Sequence, residues 1–173
     1  MKPKGTAVEL DRLGLSSGQA SSLPLPVAIE KVGLGGQQYA AASNPVEARL
    51  DVSRTTTGYA LRLRFEVELV GPCVRCLEEA RFPLAIDVRE VDLPQTSDEE
   101  LRSPYVVEGE VDVGRWANDT VVLEMPAQPL CREDCAGLCA VCGESLNDAD
   151  PEAHRHDTGG DPRMAKLREI KFD

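Results

Sequence analysis

The chain has 173 residues, 42% hydrophobic but only 4% aromatic, and a formal net charge of −11. That length suits one domain, or one domain with a small appendage, with roughly two-thirds of the unfolded chain's surface buried in an aliphatic core. Residues 1–72 carry 8 basic and 7 acidic side chains and residues 73–173 carry 11 and 23, a poor balance for holding nucleic-acid phosphates and a better one for basic protein partners.

No segment approaches the roughly 18–20 apolar residues of a membrane span. No apolar run follows Met1-Lys2-Pro3-Lys4, so a secretory leader is not expected. A cytoplasmic location is the expectation, with no membrane and no small-molecule substrate. There the six cysteines stay reduced and serve as ligands rather than disulfides.

In chain order, residues 1–26, with a Ser/Gly/Pro-rich run from Ser16 to Pro26, read as a weakly ordered arm. A core domain is expected over residues 27–130. Val46, Ala48, Leu50 and Val52 alternate with polar residues, and Thr56-Thr57-Gly58 reads as a turn. Leu61, Leu63, Phe65, Val67 and Leu69 then alternate with Arg62, Arg64, Glu66 and Glu68, the clearest period-two pattern in the chain. Gly71-Pro72 breaks it, and Phe82, Leu84, Ile86 and Val88 resume it. Three consecutive antiparallel strands are predicted, with Cys73-x-x-Cys76 at a hairpin tip.

An acidic loop follows over 92–103, then a short strand at Tyr105–Val107 with Glu110–Asp112 leading onward. Val113, Trp116, Ala117, Thr120, Val121 and Met125 are spaced as one helix face, stopped by Pro126 and Pro129. Trp116 reads as a core anchor. Residues 131–173 form a third unit, packed on the core. Its stretch 131–160 has little apolar matter and needs a staple. A short helix is predicted after Asp161 as N-cap and Pro162 at the first position, with Met164, Leu167 and Ile170 on one face. The fold class is α+β: an antiparallel sheet (a meander), one packed helix, a zinc-stapled Cys/His-rich segment and a short C-terminal helix.

The staple is legible in the spacing. The cysteines pair as Cys73/Cys76, Cys131/Cys135 and Cys139/Cys142, and the chain's two histidines are His154 and His156. Two tetrahedral zinc sites take eight ligands, the number supplied here. Gly137 and Gly143 permit the positive φ angles of metal knuckles. One or two Zn2+ ions are expected. The preferred partition places Cys73, Cys76, Cys131 and Cys135 on one ion and Cys139, Cys142, His154 and His156 on the other, since the late pairs need little loop closure. The competing partition gathers Cys131, Cys135, Cys139 and Cys142 and leaves Cys73 and Cys76 with the histidines. Arg75 and Arg132 are candidates to donate hydrogen bonds to sulfur.

Catalysis is disfavoured. Pro72-Cys73-x-x-Cys76 matches half of a zinc-deaminase signature, but the other half needs an upstream His, and none precedes position 154. A redox Cys-x-x-Cys expects a βαβ setting. A hydrolytic zinc keeps one coordination position open, and eight ligands on two ions leave none. No phosphate loop or dinucleotide fingerprint is present.

The motifs Cys73-Val-Arg-Cys76-Leu, Pro129-Leu-Cys131, Cys135-Ala-Gly-Leu-Cys139-Ala-Val-Cys142-Gly-Glu-Ser-Leu146-Asn147 and Asp161-Pro162-Arg163-Met-Ala-Lys-Leu167 resemble the YceD family of large ribosomal RNA subunit accumulation proteins, over about residues 8–171. In that family the late pair is usually Cys-x-Cys, and His154-Arg155-His156 stands there in this chain. The resemblance implies a non-enzymatic role in bacterial ribosome biogenesis, supporting large-subunit ribosomal RNA accumulation, with ribosomal proteins or assembly factors as partners. The family's genes commonly neighbour that of a small ribosomal protein. The other function in view is a zinc-ribbon nucleic-acid-binding regulator. It would need folding to gather Arg62, Arg64, Arg75, Arg81 and Arg132, because the overall charge disfavours direct contact with RNA.

Overall fold

The structure, a computed structural model, describes residues 6–150 and 152–156. The C-terminal helix expected after Asp161 lies outside the described residues. The alternating stretches become strands β5 (Val46–Arg54), β6 (Tyr59–Pro72) and β7 (Glu79–Asp92). They pair antiparallel in sequence order, Leu50 opposite Leu63 and Leu63 opposite Val88. Alternation sends Leu50, Val52, Leu61, Leu63, Phe65, Val67, Leu69 and Ile86 to one face, where all are buried. Arg49, Asp51, Arg62, Arg64, Asp87 and Arg89 go to the other.

Two expectations are corrected. The stretch read as an arm contains β1 (Ala7–Glu9) and β2 (Ala20–Val27), and β2 pairs with β5 over its full length. Its Leu23-Pro24-Leu25-Pro26-Val27 alternates with period two, and proline is tolerated at a sheet edge, where an N–H can be spared. The sheet is also more than a meander. The hairpin β3 (Val32–Leu34) and β4 (Gln37–Ala41) enters it, with Ala40 and Ala41 paired to Val70 and Leu69. β6 therefore pairs with β7 on one side, and on the other with β5 at one end and β4 at the other.

The helix α1 (Val113–Glu124) spans the predicted face. Asp112 caps it, its carboxylate accepting the Arg115 N–H at 2.9 Å. Met125 leaves helical geometry before Pro126. Val113, Trp116, Ala117 and Val121 join the sheet's apolar face in one core, and Trp116 stacks on Tyr105 with centroids 5.8 Å apart. The short strand β8 is Val106–Val107, and with β9 (Glu110–Asp112) and β1 it forms a second small sheet. Among the described residues no helix is long and apolar enough to cross a membrane.

The β6–β7 hairpin carries the first cysteine pair away from this core. Gly71 makes room for it: a Cβ there would stand 2.3 Å from Tyr39 Cδ1. The Tyr39 hydroxyl donates to the Pro72 carbonyl at 2.9 Å. The ring thus braces the end of β6 just before Cys73.

Candidate metal centre

A second buried cluster, apart from the main core, consists of Cys73, Cys76, Ala80 and Cys135, with Leu130, Cys131 and Leu138 packed on it. Its frame is a knuckle at the hairpin tip. The Cys73 N–H donates to the Glu78 carbonyl at 2.7 Å, and the Leu77 N–H returns to the Cys73 carbonyl at 3.0 Å. The Arg75 N–H points at Cys73 Sγ, 3.4 Å away. A second knuckle repeats this wiring: Cys139 N–H to Glu144 carbonyl at 2.8 Å, Gly143 N–H to Cys139 carbonyl at 2.9 Å. Gly137 and Gly143 take the positive φ values their positions suggested, 81° and 77°.

Folding brings the eight sequence-selected residues into two groups. Cys73, Cys76, Cys131 and Cys135 have their sulfurs within 4.8 Å of one another; Cys139, Cys142, His154 and His156 do the same with their ligand atoms. This is the preferred partition. The gathering of Cys131 and Cys135 with Cys139 and Cys142 is not seen.

Both groups have dimensions that suit a tetrahedral cation. Cys73 Sγ and Cys135 Sγ are 3.7 Å apart, and Cys76 Sγ and Cys131 Sγ 3.5 Å. Zinc–sulfur bonds of about 2.3 Å put tetrahedral ligand atoms about 3.8 Å apart. In the second group Cys142 Sγ lies 3.4 Å from His154 Nδ1, against about 3.6 Å for a mixed sulfur–nitrogen edge. His156 Nε2 is buried with no hydrogen-bond partner among the described residues, a costly arrangement for a polar atom unless a ligand completes it. His154 Nε2 lies 3.9 Å from Glu144 Oε2, an ion-pair distance rather than a hydrogen bond.

The thiols within each group are driven apart in acidity. Burial opposes ionisation of Cys73, but backbone N–H groups of Cys76 and Arg75 outweigh it and lower its pKa to about 6. Burial together with the neighbouring cysteines pushes Cys131 up to about 12. Backbone N–H groups of Cys142 and Val141 bring Cys139 down to about 6, even against desolvation. Cys142 is raised: the Glu144 N–H favours its thiolate, but desolvation and the charge on Cys139 prevail. The charge on Cys73 opposes ionisation of Cys131, and the charge on Cys139 opposes ionisation of Cys142. A divalent cation would remove that repulsion and let them ionise.

The arginines act otherwise than expected. Arg75 Nη1 donates to the Cys135 carbonyl at 3.0 Å, tying the first knuckle to the segment carrying Cys131 and Cys135. Arg132 reaches the Asn147 carbonyl and pairs with Asp134 and Asp148. Both guanidinium groups meet oxygen rather than sulfur, since a carboxylate or carbonyl is the stronger acceptor. Sequence reasoning missed Asn147 as a support. Its Oδ1 accepts the Ala136 N–H at 2.9 Å, and its Nδ2 donates to Glu78 Oε2 at 3.3 Å and lies 3.9 Å from Cys131 Sγ. An Asn four residues beyond Gly143 offered no signal by spacing alone. Of the other arginines named for a nucleic-acid face, Arg62 pairs with Asp87, Arg64 with Asp51, and Arg81 with Glu68 and Glu79.

The family model described as "Large ribosomal RNA subunit accumulation protein YceD" matches residues 61–171. Uncharacterized proteins of Mycobacterium tuberculosis and Mycobacterium bovis are each 38% identical over 106 residues, 58% of this chain and 50% of theirs. One from Mycobacterium leprae is 36% identical over 106 residues, 58% of this chain and 48% of its own length. The chain spans about half the length of these curated relatives. No solved structure matches it. The match begins at Leu61, inside β6, and takes in both knuckles and every cysteine and histidine of the two groups, so the chain belongs to the YceD family.

Proposed function

We propose that this protein is a non-enzymatic zinc-binding factor of bacterial ribosome biogenesis, acting in the cytoplasm to support accumulation of large-subunit ribosomal RNA. The observation that carries it is the pair of tetrahedrally dimensioned Cys/His groups inside a chain of this family. In one group zinc would be held by Cys73, Cys76, Cys131 and Cys135, and in the other by Cys139, Cys142, His154 and His156. Its contribution is cross-linking: it fastens the β6–β7 hairpin to a segment with too little apolar surface to fold by burial. Four protein ligands per ion leave no position for a substrate.

The excess of carboxylates over residues 73–173 favours a basic ribosomal protein or assembly factor as direct partner. The nucleic-acid-binding reading is weakened by the carboxylate pairing of Arg62, Arg64, Arg81 and Arg132. The test removes the gene from its native host and measures the ratio of large- to small-subunit ribosomal RNA. Wild type should restore the ratio and Cys73→Ser should not. An unchanged ratio in the deletion strain refutes the reading. Capture of naked RNA without ribosomal protein, at physiological salt, refutes the partner class.

A further inference from the structure

β7 is an outer strand: among the described residues it pairs only with β6. Glu78 accepts the Cys73 N–H. By antiparallel alternation the even-numbered residues of β7 bond to β6 and the odd-numbered ones turn their N–H and C=O outward. Pro83, which has no N–H, falls on the outward set. Beyond it Ala85, Asp87, Arg89 and Val91 present an edge free of proline, with no backbone partner there among the described residues. Such edges invite another strand.

The charges on this edge complement themselves. Arg89 sits directly opposite Arg62 in the β6–β7 register, a like-charge pair that disfavours the sheet. Arg62 is compensated by Asp87 at 2.5 Å. Arg89 has no carboxylate at ion-pair distance among the described residues. A second copy running antiparallel about a two-fold axis at Val88 would set Asp87 against Arg89 of the second copy, and Arg89 against its Asp87. Ala85 and Val91 would flank them in the same ladder. Sliding the register by one step places Asp87 on Asp87 or Arg89 on Arg89. A further slide brings in Pro83, or Leu93, whose N–H already donates to the Leu101 carbonyl. One register therefore satisfies both charge and hydrogen bonding. It also covers Leu84 and Val88, which are only half-buried in the single chain.

We propose that two copies of this chain associate through the Ala85–Val91 edge of β7, in the register centred on Val88. Sedimentation equilibrium of the full-length, metal-loaded protein, from micromolar to near-millimolar, is the test. Wild type should show a reversible monomer–dimer equilibrium. Asp87→Arg alone and Arg89→Asp alone should each weaken self-association at least about tenfold, since both cross-strand pairs turn repulsive. Mixing those two variants should restore a dimer, because each supplies the charge the other needs. Arg89→Pro should keep the metal content and melting curve of wild type, its nitrogen facing away from β6, while abolishing the dimer. A wild type monomeric throughout overturns the proposal. So does self-association unaffected by Arg89→Pro or Arg89→Asp. Amide-exchange protection of the outward-facing N–H groups of Asp87, Arg89 and Val91 in the monomer also overturns it, for the edge would then be covered by the chain's own residues.

Discussion

Leu77 occupies in the first knuckle the place that Gly143 occupies in the second: each follows the second cysteine of its pair, and each has a positive φ, 65° and 77°. The N–H of each closes the knuckle onto the carbonyl of the first cysteine. Glycine takes this conformation freely, whereas a leucine pays roughly 1–2 kcal/mol for it.

Leu77→Gly should therefore relieve strain. Its side chain is 58% exposed, so little burial is lost. After the extra entropy of glycine in the unfolded chain, a net stabilisation of roughly 0.5 kcal/mol is expected. Thermal unfolding of the metal-loaded protein would register a small rise in Tm; a fall would show that Leu77 makes contacts worth more than its strain.

Cys135→Ser should remove one metal equivalent and loosen the hairpin tip. Cys73 and Cys135 are 62 positions apart in sequence yet hold their sulfurs 3.7 Å apart. A structural zinc contributes on the order of 10 kcal/mol to the fold it ties. Elemental analysis should fall from two ions to one, and amide exchange over residues 131–147 should accelerate by orders of magnitude. Unchanged metal content and unchanged exchange would exclude the first group as a binding site.

The two groups should release metal in sequence. Cys142 is exposed, whereas Cys73, Cys76 and Cys135 are buried. A chelator followed by absorbance should draw off one ion quickly and the other slowly. His154→Ala should erase the fast phase alone and leave the melting of the sheet within about 0.5 kcal/mol of wild type. A single phase for both ions would mean one cooperative centre.

Asp51 supplies a pH-dependent part of the sheet's stability. Burial disfavours its charge, but hydrogen bonds from Ser22 at 2.6 Å and Arg64 at 2.5 Å, with the charges of Arg64 and Arg49, prevail and lower its pKa. A carboxyl depressed in the folded state stabilises above its unfolded value of about 3.9 and loses that contribution as pH falls through the folded value. Asp51→Asn should thus lower the urea midpoint at neutral pH, with the gap from wild type closing at about pH 2. A gap independent of pH would show that ionisation of Asp51 is irrelevant to folding.

The strands of the sheet's centre were legible because one face is buried and the other wet, which forces Leu61, Leu63, Phe65, Val67 and Leu69 to alternate with charge. β2 was not, because Pro24 and Pro26 mask the same alternation with residues that usually mark loops. At the site, each Cys and His was legible from spacing. Asn147 was not, since an amide that braces a loop has no distinctive interval.

Residue order by itself determined the ligand inventory, the core face of β5, β6 and β7, and the limits of α1. All three are local consequences of periodicity, capping and short-range pairing. Short loop closure already favoured the observed partition of the ligands, whereas tertiary structure alone decided that Arg75 grips the Cys135 carbonyl and that β7 leaves Arg89 opposite Arg62 on an edge unpaired among the described residues. Those depend on strand register and on chain segments far apart in sequence, and no interval in the one-dimensional pattern encodes them.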